Sequence, residues 1–239
     1  MGVLKRLIFL ILILTACGQA DSDIPETEPL VVVLTPDVLP LRLAVTTCLA
    51  QSPDALIRVE ESYLGQMDAD LVIRLGEPDP LPPFAAQVAS EELLLVVHPG
   101  NQSASLTLDQ VADIFSGRMR HWSEVGGEDR EIHVWVLLKV DEARKVFERE
   151  VLHGGLVTLN AFLAPHPNAM LEAVSGDPDA VGYLPKAWST SEVATISLGI
   201  QMPVLVVADE EPQGVARELV ACLQGDLGQE IIKPYYEVE

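Results

Sequence analysis

The sequence predicts an α/β protein, and three observations indicate this fold class. Of 239 residues, 49% are hydrophobic and 21% charged, which is enough apolar material for a sizeable core. Only 5% are aromatic, so Leu, Val and Ala make up most of the apolar residues. Short apolar runs, typical of strands buried on both faces, alternate with segments of helical spacing. We therefore expect parallel strands covered by helices.

The predicted elements follow this alternation along the chain. In order, they are strand 30–34, helix 41–50, strands 56–59, 71–73 and 93–97, a helix from residue 108, strand 132–138, helix 142–152, helix 169–174, strands 181–184 and 204–207, and helix 215–223. Thr107 and Gln110 form a capping box at the start of the helix from residue 108, and Asp141 is a candidate N-cap. Two lobes are predicted, one from residues 30–99 and 198–239 and the other from 100–197.

The first residues have the pattern of an export signal. Lys5 and Arg6 precede an apolar run over residues 7–14, which is too short to span a bilayer. The following Leu-Thr-Ala-Cys resembles the lipobox of bacterial lipoproteins, which implies cleavage after residue 16 and a lipid on Cys17. The alternative is an ordinary signal with an incidental cysteine. Residues 17–29 are polar and acidic and predict a tether between a membrane anchor and an extracytoplasmic domain.

Charge and motif content exclude several classes of function. The formal net charge of −21 repels phosphate backbones, so we expect no nucleic-acid partner. The five histidines lack the paired spacing of a metal site, and no nucleophile elbow or phosphate-binding loop is present. We expect no catalytic residue, metal or cofactor. Cys48 and Cys222 lie on separate apolar segments and could either pair or remain free.

Three segments resemble the phosphate-binding family of periplasmic solute-binding proteins. The first reads SLTLDQVADIFSGRMRHWSEVGG over residues 105–127, and the second reads AVSGDPDAVGYLP over residues 173–185. The third, residues 203–232, combines a returning strand with a closing helix. The resemblance implies a two-lobed α/β fold of the type II periplasmic-binding-protein kind, with hinge crossovers. It also implies a small-molecule ligand, an ABC permease as partner and a monomeric protein.

The segment expected to hold phosphate departs from the family. There, an Arg and a Gly-Ser-Gly-Thr turn precede a helix, and the corresponding positions here are Leu137, Asp141 and Ala143. A carboxylate about 4 Å from a bound anion adds a few kcal/mol of repulsion, and Asp141 would itself cap the helix. Lys139 could replace the missing Arg. The candidate cleft residues are Thr35, Asp37, Asp70, Arg74, Lys139 and Asp141.

Two functions are compatible with these features. The first is a lipid-anchored solute-binding protein whose ligand differs from phosphate. The alternative is a ligand-free module of the same fold, used in envelope signalling or assembly. A strand-end charge on a solvated rim is an equally good interpretation of Asp70 and Arg74.

Overall fold

The computed structural model describes residues 28–63, 68–101 and 106–238. The predicted signal segment, Cys17 and most of the predicted tether lie outside the described residues. Within the described residues, no helix has the length and apolar character needed to cross a bilayer.

Eight strands form one mixed sheet in the order β2-β1-β3-β8-β4-β7-β5-β6. The strands are β1 (Leu30–Leu34), β2 (Ile57–Glu61), β3 (Leu71–Leu75), β4 (Phe84–Val97), β5 (His133–Val136), β6 (Phe162–Leu163), β7 (Ala180–Pro185) and β8 (Ala194–Ala208). The helices are α1 (Arg42–Leu49), α2 (Leu108–Phe115), α3 (Glu142–Glu150), α4 (Pro167–Gly176), α5 (Gly214–Gln224) and α6 (Asp226–Ile232). Short 3₁₀ helices lie at Pro36–Leu41, Trp122–Val125 and Lys186–Trp188.

The expectation of a purely parallel sheet is wrong. β1 pairs in parallel with β2 and β3, and β5 with β6 and β7, but β8 runs antiparallel to β3 and β4, and β4 runs antiparallel to β7. The apolar runs 93–97 and 204–207 are only the fully buried ends of strands of 14 and 15 residues. Their other ends alternate between exposed and buried positions, so no continuous apolar run marks them.

Strands β4 and β8 connect two halves of the molecule. The first half contains β1, β2, β3, α1, α5 and α6, and the second contains β5, β6, β7, α2, α3 and α4. The pairing of β4 with β8 shifts register where Leu93 pairs with Ile200 and Leu94 pairs with Ser197. Gly199, inside this irregularity, has a φ of 67°, which favours glycine. The irregularity lies beside the predicted lobe boundary at residue 198, and the bounds of the two lobes stay a prediction.

Both predicted helix starts are confirmed. The Thr107 hydroxyl accepts from the Gln110 N–H at 3.2 Å, and the Gln110 side chain accepts from the Thr107 N–H at 2.9 Å. Asp141 caps α3, because its Oδ1 accepts from the Arg144 N–H at 3.3 Å. Each helix thereby satisfies N–H groups that have no partner inside the helix.

The two cysteines form a disulfide, which settles the alternative that the sequence left open. Cys48 on α1 and Cys222 on α5 have Cα atoms 5.7 Å apart and are bonded through sulfur. The bond joins segments 174 residues apart in the chain, both in the first half. Disulfides of this kind persist in oxidising compartments outside the cytoplasm.

Candidate functional site

The carboxyl ends of the first-half strands meet the start of α3 at the junction of the two halves, and we call this junction the cleft. Thr35 follows β1, Tyr63 lies two residues beyond β2, and Arg74 is near the end of β3. Asp141, the N-cap of α3, faces them from the second half. Ligands of α/β proteins bind at such strand ends, so this cleft is the candidate site.

Two buried carboxyls face each other across this cleft, and we call Asp37 and Asp141 the cleft pair. Asp37 is 1% exposed and Asp141 is fully buried. The Tyr63 hydroxyl lies between them, donating to Asp141 Oδ2 at 2.6 Å and standing 3.5 Å from Asp37 Oδ1. A single phenol therefore connects the cleft pair across the junction of the two halves.

Burial disfavours the charged form of both members of the cleft pair. Burial, followed by the negative charge of Asp141, raises the pKa of Asp37 well above its usual value. Burial also raises the pKa of Asp141, although hydrogen bonds from Tyr63 and from backbone N–H groups oppose the effect. Burial and the two carboxyls raise the pKa of Tyr63, so its hydroxyl stays a donor. Burial therefore favours the protonated form of both carboxyls.

Three polar atoms in the cleft lack a hydrogen bond of good geometry. Thr35 Oγ1, Asp37 Oδ2 and Arg74 Nε are buried and have no such partner among the described residues. Asp141 and the Glu142 N–H lie near enough to influence the pKa of Asp37. An unsatisfied buried polar atom costs about 1–3 kcal/mol, and other atoms of this kind occur away from the cleft, such as Trp135 Nε1 and Tyr236 Oη.

An ion pair also crosses the cleft. Arg74 Nη2 on β3 lies 2.5 Å from Glu142 Oε1 on α3, and both side chains are nearly buried. Lys145, one turn further along α3, approaches the same oxygen of Glu142 at 2.7 Å. The cationic charge of Arg74 is thereby already balanced by a carboxylate of this chain.

The start of α3 does not offer the free N–H groups that an anion needs. Asp141 accepts from the Arg144 N–H, and its interaction with the Ala143 N–H also affects its pKa. Ala143, where the family has a hydroxyl, is completely buried. Leu137 occupies the position at which the family has an Arg. Its backbone carbonyl accepts a hydrogen bond from Arg144 Nη1 at 2.6 Å. At Leu137, Asp141 and Ala143, where the family has groups that hold an anion, this chain therefore makes contacts within itself.

The structure brings together four of the six sequence-predicted site residues: Thr35, Asp37, Arg74 and Asp141. Asp70 lies at the opposite end of β3, where its Oδ2 accepts from the Val31 N–H at 2.7 Å. Lys139 is exposed in the turn between β5 and α3. The structure therefore does not join Asp70 to the cleft, and it leaves Lys139 in solvent.

Further contacts lie near β4 and β8, the two strands that connect the halves and that we call the hinge strands. Trp188 Nε1 donates to the Asp37 carbonyl oxygen at 2.8 Å. Glu91, in the middle of β4 and 1% exposed, accepts from the Glu92 N–H at 2.9 Å and the Ala187 N–H at 3.3 Å. Burial raises the pKa of Glu91 to about 8, despite these donors and the nearby Lys186.

Sequence reasoning missed Tyr63, Glu142 and Glu91 as site residues. Tyr63 could have been found, because it follows the carboxyl end of a strand that pairs in parallel with β1. Glu142 directly follows the predicted helix cap, but only the fold places Arg74 opposite it. Glu91 gave no signal, because the sequence predicted no strand at its position.

One further group of side chains has the composition of a metal site. In the described ranges, only His133, Asp177 and Asp179 bring three potential ligand atoms within 4.8 Å of one another. His133 Nδ1 lies 2.7 Å from Asp177 Oδ2, and Arg130 Nη1 lies 2.7 Å from Asp179 Oδ1. Arg130 is thus already paired with Asp179, although Asp179 Oδ1 and Arg130 Nε have no hydrogen bond of good geometry among the described residues.

Comparison with known proteins gives relatives of this fold. Residues 80–230 match the family model of the PBP superfamily domain. The phosphate-binding protein PstS of Bacillus subtilis is 25% identical over 109 residues, which are 46% of this chain and 36% of PstS. The chain thus matches only about a third of that curated relative.

Solved structures share the fold at low sequence identity. A structure with bound phosphate from Clostridium perfringens, described as a phosphate ABC transporter substrate-binding protein, has a TM-score of 0.79 and 18% identity, covering 89% of this chain and all of that one. A phosphate transport receptor from Vibrio cholerae has a TM-score of 0.69 and 18% identity, covering 87% and 100%. OxyR from Corynebacterium glutamicum has a TM-score of 0.59 and 14% identity, covering 87% and 68%.

A family model that spans more than half of the chain, and a fold shared with phosphate-binding proteins, agree with the resemblance seen in the sequence. This chain belongs to the PBP superfamily and has the two-lobed α/β fold of its phosphate-binding type.

Proposed function

We propose that this protein is a lipid-anchored, extracytoplasmic substrate-binding protein that captures a small solute other than phosphate and presents it to an ABC permease. Membership of the PBP superfamily supports the binding role. In this proposal residues 30–99 with 198–239 and residues 100–197 act as lobes that close around the solute, and no chemistry occurs on it. The sequence features of export and lipidation at Cys17 support the location.

One observation carries the exclusion of phosphate: Asp141 occupies the N-terminus of α3. Its carboxyl accepts from the helix N–H groups and is buried beside Asp37. A phosphate placed there would lose charge-assisted hydrogen bonds worth about 1.5–3 kcal/mol each. Any negative charge on the cleft pair would add repulsion at short range.

A binding screen on the purified protein tests the proposal. Sodium phosphate, other oxyanions, amino acids and small sugars would each be added during thermal unfolding. A ligand at 100 times its Kd adds about 2.7 kcal/mol of stability, which raises the melting temperature by several degrees. We expect no rise with millimolar phosphate and a rise with at least one other solute. If no solute raises the melting temperature, the ligand-free module becomes the better interpretation.

The variant Asp141→Ser tests the role given to the α3 N-terminus. Serine keeps a good helix cap while it removes the carboxylate, so phosphate affinity should increase. Asp109→Ser is the matched control, because Asp109 is an exposed acid in the first turn of α2. Phosphate binding that is unchanged in Asp141→Ser would contradict the assignment.

The lipid anchor is tested separately. Cys17→Ser should move the protein from the membrane fraction to the soluble fraction, and mass spectrometry of the wild-type N-terminus should show a lipidated Cys17. A wild-type protein found only in the soluble fraction would contradict the anchor without affecting the binding proposal.

A further inference from the structure

Three side chains of the second half converge on one point, and we call His133, Asp177 and Asp179 the distal triad. His133 is the first residue of β5, and the two acids lie in the turn between α4 and β7. Each offers one ligand atom, and the three atoms all lie within 4.8 Å of one another. The triad lies at the amino ends of β5 and β7, whereas the cleft lies at their carboxyl ends. The distal triad is therefore separate from the candidate site.

Backbone and ring contacts hold the distal triad in position. The His133 N–H donates to the Asp179 carbonyl oxygen at 2.9 Å, and the Asp179 N–H donates to Asp177 Oδ1 at 2.9 Å. The Phe162 ring packs edge-on against the imidazole, with ring centroids 5.9 Å apart. Ligands that are held in place beforehand lose little conformational entropy when an ion arrives. The distal triad therefore needs little rearrangement to coordinate an ion.

One cationic side chain already contacts the distal triad. Arg130 Nη1 lies 2.7 Å from Asp179 Oδ1. This Oδ1 and Arg130 Nε are nevertheless buried atoms that lack a hydrogen bond of good geometry within the described part of the chain. A carboxylate has two oxygens, so Asp179 can keep its contact with Arg130 through one of them and bind an ion through the other. Arg130 would then orient this ligand, as groups behind a metal ligand commonly do.

We propose that the distal triad binds one zinc ion. The ligands are His133 Nδ1, which is the nitrogen that faces Asp177, and one oxygen from each of Asp177 and Asp179, with water in the fourth position. Zinc accepts nitrogen and oxygen ligands in tetrahedral geometry, and three protein ligands with one water form a common set. The three side chains are between 22% and 37% exposed, so an ion reaches them directly from solvent. The site does not depend on the proposed solute-binding function.

Zinc takes the place of the hydrogen bond between His133 and Asp177. His133 Nδ1 and Asp177 Oδ2 lie 2.7 Å apart. Two atoms bound to zinc at about 2.0–2.2 Å in tetrahedral geometry lie about 3.3 Å apart, so the pair would separate by roughly 0.6 Å. Small side-chain rotations can provide this separation. A neutral imidazole that binds zinc through Nδ1 carries its proton on Nε2, so its charge does not change.

The donor set favours zinc over the hard divalent cations. Calcium takes six to eight oxygen ligands, and magnesium takes six in strict octahedral geometry. The distal triad provides two carboxylates and an imidazole, and imidazole nitrogen suits zinc and the other late first-row metals. We therefore expect calcium and manganese to bind here more weakly than zinc.

Titration calorimetry on the purified full-length protein in detergent, without a polyhistidine tag, tests the proposal. The probe is zinc chloride in HEPES buffer, and manganese chloride and calcium chloride are the comparison ions. We expect one zinc ion per chain, bound at least about ten times more tightly than either comparison ion. In thermal unfolding, zinc should raise the melting temperature by several degrees, and EDTA should reverse the rise.

Two variants connect the binding to the distal triad. His133→Asn removes the imidazole but keeps an N–H donor toward Asp177, and Asp177→Asn removes one carboxylate with little change of shape. Each should weaken zinc binding by at least about 10- to 100-fold. Asp129→Asn is the matched control, because Asp129 lies 3.2 Å from His121 Nδ1 in an exposed pair, and the structure groups no third ligand with them among the residues it describes. The control should bind zinc as the wild type does.

X-ray absorption of the wild-type zinc complex provides a test that needs no variant. We expect nitrogen and oxygen neighbours at about 2.0–2.2 Å and the scattering of one imidazole ring. A zinc shell without imidazole, or zinc binding that persists unchanged in both His133→Asn and Asp177→Asn, would place the ion elsewhere and overturn the proposal. Equal or tighter binding of calcium or manganese would contradict the choice of zinc. Absence of zinc binding at micromolar concentrations would refute the site and leave the proposed function untouched.

Discussion

Two acidic regions lie at opposite ends of the same strands, and burial separates their behaviour. At the carboxyl ends of β1 and β3, the cleft pair is almost completely buried, and burial raises both pKa values. At the amino ends is an open depression of about 860 Å³. We call five of its exposed acids the acidic edge: Asp68, Asp70, Asp209, Glu210 and Glu211.

The difference teaches that acid content alone does not define a site. Water can solvate the acids of the acidic edge, so their mutual repulsion is weak and screened by salt. The cleft pair has lost this solvation, so the charged form of each carboxyl is disfavoured. The four predictions below compare a buried residue with an exposed one, and they are ordered by the size of the expected effect.

The largest effect is expected at Glu91, a buried acid in the middle of β4. Its pKa of about 8 in the folded protein lies above its ordinary value of 4.5, so its contribution to stability is complete below pH 4.5 and is lost as the pH rises through 8. In Glu91→Gln this loss is absent. Relative to wild type, the variant should gain up to about 4 kcal/mol in free energy of unfolding between pH 4 and 9.

Urea unfolding at several pH values measures this gain. Glu211→Gln, on the acidic edge, is the control and should follow the wild-type pH dependence. A Glu91→Gln variant with the same pH dependence as wild type would mean that Glu91 is ionised at neutral pH.

Breaking the ion pair across the cleft should have the next largest effect. Arg74→Met leaves Glu142 nearly buried beside the cleft pair, with only Lys145 to compensate. We expect a loss of about 3 kcal/mol in free energy of unfolding, measured by urea denaturation. In Arg58→Met, the exposed partner Glu60 stays in water, so the loss should be below about 1 kcal/mol. Equal losses in the two variants would remove the distinction between cleft and edge.

Removing the phenol between the two carboxyls should have a smaller effect. Tyr63→Phe deletes the donor to Asp141 but keeps the ring, so we expect a loss of about 2 kcal/mol at pH 7. Thermal unfolding measures it against Tyr235→Phe, because Tyr235 is 49% exposed and should tolerate the change. A Tyr63→Phe variant as stable as wild type would show that the contact with Asp141 contributes little in solution.

The smallest effect is expected at Asp70 of the acidic edge. Asp70→Ala removes the acceptor of the Val31 N–H, which water can partly replace, so the loss should be about 1 kcal/mol. Asp209→Ala is the matched control and should change stability by less than about 0.5 kcal/mol. Neither variant should alter ligand binding. Weakened ligand binding in Asp70→Ala would mean that the acidic edge, and not only the cleft, takes part in recognition.

The sequence predicted most elements of the fold because their signals are local. β1 has the predicted bounds, Leu30–Leu34, and α2 begins after Thr107 as the capping box indicates. β4 and β8 were underestimated, because half of each strand faces solvent and an apolar-run criterion finds only the buried half. Strand direction was missed for a different reason: whether two strands pair in parallel or antiparallel depends on the complete sheet and not on the sequence of either strand.

The site was less predictable, because its geometry depends on distant parts of the chain. Asp37 and Asp141 could be named from strand and helix ends, but their proximity across 104 residues appears only in the folded protein. The same holds for Tyr63 and Asp141, which are 78 residues apart. Asp70 shows the opposite error. It directly precedes β3, so it lies at the amino end of that strand, whereas the cleft lies at the carboxyl end.

The disulfide closes a covalent ring that contains both hinge strands and the complete second half of the molecule. A protease cut at one point between Cys48 and Cys222 would therefore leave the two fragments bound to each other. On a non-reducing gel the nicked protein would migrate near the intact one, and reduction would separate the pieces. While the disulfide is intact, a single cleavage between Cys48 and Cys222 therefore cannot release either piece of the chain.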